Sequence, residues 1–203
     1  MKKRLLGKPG TMLYPVPVVM VSCSDGTKDN IITVAWTGIV NSEPPILSVS
    51  IRKSRLSHSI IEKSREFVVN LTTEALVSAT DFCGVRSGRD LDKFETLSLT
   101  KLPASVVNCP MIGESPVNIE CRVRDVIEFP SHDVFFADIV AVHAGEDLFN
   151  REDKFELEKA GLLCFSHGGY FGVKQETLGR FGFSVMKPKT KKRLKKAAGS
   201  KRV

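Results

Sequence analysis

Polar and apolar positions along the chain alternate over short runs, and few runs have helical spacing. Residues 15–23, "PVPVVMVSC", predict a short apolar strand with prolines at its entry. "SDGTKDN" is a turn rich in Asp, Gly and Asn. Strands are predicted near 31–40 and 46–52, a short helix over 57–65, and an apolar strand, "EFVVNL", over 66–71. Residues 72–84 fit an amphipathic helix stopped by Gly84, with Leu76, Val77, Thr80 and Cys83 on one face. Residues 117–124 alternate strictly. Val117, Ile119, Cys121 and Val123 point one way; Asn118, Glu120, Arg122 and Arg124 point toward solvent. Residues 133–145 predict a two-sided apolar strand, and 162–173 a pair of short strands around glycines. Strands follow strands, so an antiparallel barrel or sandwich with helical insertions fits better than a parallel α/β sheet.

Side chains alternate in a strand. In 31–40 the even positions, Ile32, Val34, Trp36, Gly38 and Val40, form the expected core face. In 46–52 that face is Leu47, Val49 and Ile51. The opposite faces carry Ile31, Thr33, Ala35, Thr37 and Ile39, and Ile46, Ser48, Ser50 and Arg52. Small side chains and hydroxyls there would let a flat ligand approach the backbone; they also suit an ordinary solvent face. Ser50 and Arg52 are about 7 Å apart on one side. Ser57 is a candidate N-cap for the following helix, whose first N–H groups attract anions. Arg52, Ser50, Ser57 and those N–H groups could converge on one phosphate, with the arginine fork well suited to it. Neither GxxxxGK[ST] nor GxGxxG is present.

Composition changes this picture little. The 203 residues suffice for one domain with a core, and 42% hydrophobic with 26% charged residues is ordinary for a globular chain. No apolar run spans a bilayer, and "MKKRLLGKPGTMLYP" lacks an h-region, so a cytoplasmic protein without signal peptide is expected. The formal charge of +7 belongs to the end of the chain. Residues 187–203 hold nine Lys/Arg and no acid, and subtracting them leaves 21 basic against 23 acidic residues. A nucleic-acid role would rest on this tail alone, which reads as a solvated extension or a weak contact for an anionic partner. The five cysteines, Cys23, Cys83, Cys109, Cys121 and Cys164, form no CxxC pair and are expected to be reduced and mostly buried. No metal-ligand spacing and no GxSxG elbow are present, so no catalytic or metal-binding residue is assigned.

"GTKDNIITVAWTG", "SEPPILSVSIRKS", "EFVVNL", "DFCGVRSGRDLDKFE" and "SPVNIECRV" follow one another at the spacing of a known family. The chain resembles the flavin reductase-like, FMN-binding split-barrel family, and most closely its flavoredoxin branch, which "GGYFGVKQETLGRFGFS" also resembles. The resemblance covers about residues 10–186. It implies a mainly β fold: a six-stranded antiparallel Greek-key split barrel with a few short helices, over residues 1–186. It further implies bound FMN near a homodimer interface. Residue by residue, Thr33, Val34, Ala35, Trp36 and Thr37 would line the isoalloxazine. Ser50, Ile51 and Arg52 would follow the ribityl chain to the phosphate, where Ser57 and His58 close the site. Phe82, Ser87, Gly88 and Lys93 would complete the pocket, from the same or the partner subunit, with Tyr170 or Phe171 near the ring. Lys93 is a candidate cation for the pyrimidine edge. Trp36 is expected to pack in the core or to stack on flavin, and Ser166-His167 to hold a substrate or a dimer contact. The function implied is an FMN-binding oxidoreductase moving electrons from NAD(P)H or a protein donor to an acceptor, or else a flavin-binding carrier without turnover.

Overall fold

The computed structural model describes residues 1–190. It divides into two units, one of Met1–Val173 and one beginning at Lys174. The first unit contains β1 (Val16–Pro17), β2 (Val19–Ser24), β3 (Asp29–Val34), β4 (Thr37–Ser42), β5 (Pro45–Arg52), α1 (Leu56–Ser64), β6 (Glu66–Leu71), α2 (Val77–Val85), α3 (Lys93–Thr96), β7 (Lys101–Leu102), β8 (Met111–Ile112), β9 (Val117–Glu128), β10 (His132–Ala144), β11 (Leu163–Ser166) and β12 (Gly169–Gly172). In the second unit the described residues include a 3₁₀ turn at Phe183–Val185. The expected boundary at 186 falls within this unit. The basic tail beyond residue 190 lies outside the described residues.

Seven strands form one antiparallel sheet in the order β3-β2-β6-β9-β10-β5-β4, not the six expected. The difference lies in residues 31–40. These are not one strand: β3 stops at Val34, β4 starts at Thr37, and Ala35-Trp36 joins them. β3 is one edge of the sheet and β4 the other. Three peptide steps span at most about 11 Å, so the two edges must meet at this corner. The sheet therefore curls. Register shifts in β10 against β9, at Phe136/Ala137 and Ile139/Ala141, and in β4 against β5, at Ile39/Asn41, add local bending. The two edges do not pair as a ladder: Ser50 N–H of β5 donates to the Trp36 carbonyl at 2.9 Å, which extends the β4–β5 pairing into the joint, and the barrel remains split.

Inside the curl lies the main core. Val21, Ile32, Val34, Leu47, Val49, Ile51, Phe67, Cys121 and Phe135 fill it, and α1 contributes Ile60 and Ile61. The expected inward faces of β3 and β5 are therefore correct, but Trp36 and Val40 are not part of the core. They are 44% and 49% exposed, because the break at residues 35–36 removes β4 from the run of β3. The other face of β3 is not open either. Ile31 is fully buried with Met20, Leu76, Cys83, Phe94 and Ile112, and the Thr33 hydroxyl donates to the Thr80 carbonyl. Helices α2 and α3 cover this face. Gly84 permits that approach instead of stopping the helix: a Cβ there would lie 3.3 Å from Thr33 Cβ. Four cysteines are buried and Cys164 is half-buried, all free.

The outer face of β9 also departs from expectation. Asn118 and Glu120 are buried, not solvated. Residues 103–110 fold over them, and the Glu120 carboxylate accepts from Ser105 N, Val106 N, Val107 N and the Ser105 hydroxyl at 2.7–3.0 Å.

Candidate functional site

At the corner where the sheet edges meet, two cavities adjoin. The first, about 350 Å³, has Ile32, Thr33, Val34, Ala35 and Trp36 along one wall and Ser50, Ile51 and Arg52 along another. Val18, Val85, Phe165 and Tyr170 close it with apolar surface, and His132 stands beside Arg52. The second, about 580 Å³, shares Ile32, Arg52 and Arg55 with the first. Its lining includes Arg52, Arg55, Arg86, Arg89 and Lys93 and no acidic residue. A slot with apolar and polar walls thus opens into a cationic basin.

Each element supplies its part for a local reason. Arg52 ends β5, so its side chain leaves the barrel on the face opposite Ile51. Arg55 precedes α1 in extended conformation and occupies the N-cap position, with no side chain capping the helix. The predicted cap, Ser57, lies instead within the first turn, fully buried, and its hydroxyl accepts from Asn30 Nδ2 at 2.8 Å. Lys93 is buried, and its ammonium donates to the carbonyls of Ile31 at 2.7 Å and Cys83 at 2.8 Å. Burial lowers its pKa. It borders the basin and not the slot. Arg89 Nη1 donates to the Ser54 carbonyl at 2.9 Å. Arg52, Arg55 and Arg86 have no side-chain partner among the described residues.

Of the predicted residues, Thr33, Val34, Ala35, Trp36, Ser50, Ile51, Arg52 and Tyr170 line the slot. Ser57, Ser87, Gly88 and Lys93 line the basin. Phe82 borders a third cavity, beside α2. Thr37 and His58 line none of the three. Thr37 turns back into the sheet and donates to the Ser48 carbonyl at 2.7 Å. His58 points under α1, where its Nε2 lies 2.7 Å from Asp133 Oδ2 and its ring meets Phe135 edge-on.

The sequence reading missed Arg55, Arg86, Arg89 and His132. The three arginines stand in the quoted stretches, and the signal was available: cations crowd both sides of the predicted phosphate site. His132 had no local signal, because only the β5–β10 register sets it opposite Arg52. Burial and the Arg52 charge lower the His132 pKa, and Ser131 Oγ lies 2.8 Å from its Nδ1. Tyr170 donates to Asp81 Oδ1 at 3.1 Å, and burial with that partner pushes its pKa up to about 12.

The loop wall of the basin depends on Gly88. A Cβ there would lie 2.0 Å from Asn30 Oδ1 and 2.6 Å from Asn30 Cγ. Gly88→Ala should displace Asn30 from Ser57 and destabilise the fold by about 1–3 kcal/mol, the range for overpacking. An unchanged melting temperature for this variant would show that the loop yields freely.

Residues 11–174 match the family model described as the flavin reductase like domain. Among solved structures, the chain is similar to the flavoredoxin of Desulfovibrio vulgaris (Miyazaki F). The TM-score is 0.83 at 30% identity, covering 91% of this chain and all of that one. A flavoredoxin from Methanosarcina acetivorans superposes with a TM-score of 0.81 at 28% identity, again over 91% of this chain and all of that one. A curated relative, the FMN reductase (NADH) RutF of Escherichia coli, is 24% identical over 104 residues, 51% of this chain and 61% of its own length. With most of its length inside the matched span, the chain belongs to the flavin reductase-like family.

Proposed function

We propose that this protein is an FMN-dependent oxidoreductase that passes electrons from NAD(P)H or a protein donor to an acceptor. The observation that carries the reading is the junction of slot and basin. Arg52 and Arg55 border both, so a ligand with a flat ring in the slot would bring a phosphate between two unpartnered arginines. The donor set fits FMN. Apolar side chains and main chain flank the ring space, hydroxyls of Ser50 and Ser57 follow, and five cations without an acid surround the phosphate space. Guanidinium groups suit a phosphate because their N–H fork matches its oxygens. The name of the FMN reductase relative supports the same cofactor.

Bound FMN would supply the acceptance and release of electrons. The chain's own residues hold and orient it. Trp36, lifted out of the core, offers its ring to the slot, and Val85 and Tyr170 limit water on the other side. Among the slot residues, His132 stands beside Arg52, and the Asp81 carboxylate is held by the Tyr170 hydroxyl.

We further infer a homodimer. β4 is an edge strand whose Ile39 is 67% exposed and whose Val40 is 49% exposed, beside half-exposed Trp36. Such an edge calls for cover. Light scattering should give twice the 22.4 kDa chain mass at micromolar concentration, and a stable monomer would refute the pairing.

Stopped-flow mixing of FMN-loaded protein with NADPH or NADH tests the activity. Fast bleaching of the flavin band is the expected result. A loaded protein that neither nucleotide bleaches, but that a reduced carrier protein does, assigns the protein donor. A protein that fails to bind FMN sinks the reading.

A further inference from the structure

The carboxylate of Asp133 lines neither slot nor basin, and it is costly to keep where it is. Asp133 is 3% exposed and stands opposite Ile51 in the β5–β10 ladder, on the face of β10 that Phe135 and Ala137 turn into the core. Its Oδ2 lies 2.7 Å from His58 Nε2, in the first turn of α1, and His58 is itself 6% exposed. The Lys53 ammonium lies 3.2 Å from Oδ1 as an ion pair without a formed hydrogen bond, and reaches Glu128 Oε2 at 2.8 Å. Burial raises the Asp133 pKa, but the His58 and Lys53 contacts outweigh it and hold the carboxyl below its ordinary range. An ionised carboxylate only accepts, so His58 Nε2 carries the proton between them. Both groups lose their hydration here, and such a pair adds little or nothing to stability compared with apolar side chains packed in the same space. Stability alone does not account for it.

Its position does. Lys53 lies within the turn of residues 52–55, and His58 lies three residues past it. The turn is closed by a main-chain bond, Arg55 N–H to the Arg52 carbonyl at 3.0 Å. Arg52 and Arg55, at its two ends, are the arginines that border both slot and basin. The usual brace of a helix start is missing, because Arg55 occupies the N-cap position of α1 and no side chain caps it. Other ties to this stretch, Asn30 to Ser57 and Arg89 to the Ser54 carbonyl, come from β3 and the loop after α2. From β10 the tie is Asp133, one residue beyond the His132 that pairs with Arg52.

We propose that Asp133 is a positioning residue for the phosphate grip: by holding Lys53 and His58 it fixes the spacing of Arg52 and Arg55 at the mouth of the basin. The inference rests on the flavin reading, since it concerns the arginines assigned to the FMN phosphate. Asp133, His58 and Lys53 themselves line neither slot nor basin, so they act through the turn and not by touching a ligand. Two guanidinium forks converging on one phosphate depend on their spacing. A ring and a hydroxyl chain held by the slot walls do not. Loss of the tie should therefore weaken FMN binding and leave riboflavin binding nearly unchanged.

The test titrates FMN and riboflavin separately into the flavin-free full chain and reads the change in flavin fluorescence. In the double variant His58→Leu/Asp133→Val, apolar side chains replace the ion pair, so it should fold with a melting temperature no lower than that of wild type. Its ratio of FMN to riboflavin affinity should nevertheless fall threefold or more. Asp133→Asn keeps an acceptor for His58 Nε2–H but loses the charge that attracts Lys53, and its ratio should lie between those of wild type and the double variant. Partial unfolding would weaken both flavins alike and leave the ratio unchanged, so the ratio separates positioning from a merely structural role. A change smaller than threefold in the double variant overturns the proposal, whatever the melting temperature does, and the flavin reading stands. If wild type binds FMN no more tightly than riboflavin, there is no phosphate grip to position, and the proposal falls together with the phosphate assignment. If neither flavin binds wild type, the flavin reading falls as well.

Discussion

Replacing Glu120 with alanine should destabilise the fold by about 3–5 kcal/mol, the loss expected when one partner of a buried, fully bonded charge is removed. The side chain is fully buried, yet four donors from residues 105–107 converge on it, and His143 Nε2 lies 2.6 Å from Oε1. Burial by itself raises a carboxyl pKa. Here the Ser105, His143 and Val106 hydrogen bonds outweigh it and hold the group down at about 2, below its ordinary 4.5. Alanine would leave three main-chain N–H groups of residues 105–107 without an acceptor, in the loop that packs Val107 and Cys109 against Val68 and Met111. The melting temperature should fall by roughly 6–20 °C. The pH dependence follows from the same shift. A carboxyl held more acidic in the folded state contributes stability that is fully present above about pH 4.5 and lost as pH falls through about 2. The stability difference between wild type and variant, followed by denaturant titration, should therefore shrink across that window by about 3 kcal/mol. A difference that does not change with pH would mean that the carboxylate is not what anchors the loop.

Glu120 also shows where the sequence stops being legible. Alternation over 117–124 correctly puts Cys121 and Val123 inside and Glu120 opposite, but it cannot say what covers the opposite face. The cover comes from residues 103–110, which have no periodic pattern, so the period-2 rule mistakes a second buried layer for solvent. The strands near 46–52, 66–71 and 133–145 were legible because each places one continuous apolar face in one core. The break at Ala35-Trp36 was not, because no Gly, Pro or Asn marks it. It is imposed by closure of the sheet, which depends on strands far away in sequence. The same division holds at the site. Ser50 and Arg52 could be read from alternation in one strand. His132 needed the register of β10, and the shielding of Thr33 by α2 needed the packing of a helix fifty residues on. The N-cap expected at Ser57 is not formed. Ser57 is a helix-start residue by type, but α1 begins one residue before it, and its hydroxyl serves Asn30.

Arg52→Ala should weaken FMN binding by roughly 1.5–3 kcal/mol, about ten- to a hundredfold, and leave riboflavin binding nearly unchanged. The side chain is exposed at the end of β5, makes no side-chain bond to the protein among the described residues, and borders both slot and basin. Removing it therefore uncovers no buried donor and should leave the stability of the flavin-free fold unaltered. Its loss would be felt by a ligand's phosphate alone, because riboflavin places only a ring and a hydroxyl chain in the same space. Arg52→Lys should recover part of the affinity, since a point charge cannot reproduce the planar fork. The Ala variant should also release His132, whose pKa burial and the neighbouring guanidinium now depress. With the charge gone, the imidazole should titrate at higher pH, visible in its proton resonances. The decisive quantity is the ratio of FMN to riboflavin affinity. If Arg52→Ala leaves that ratio intact while the His132 titration moves, the arginine faces the slot without gripping the phosphate, and the phosphate must then rest on Arg55 and the 86–93 wall of the basin.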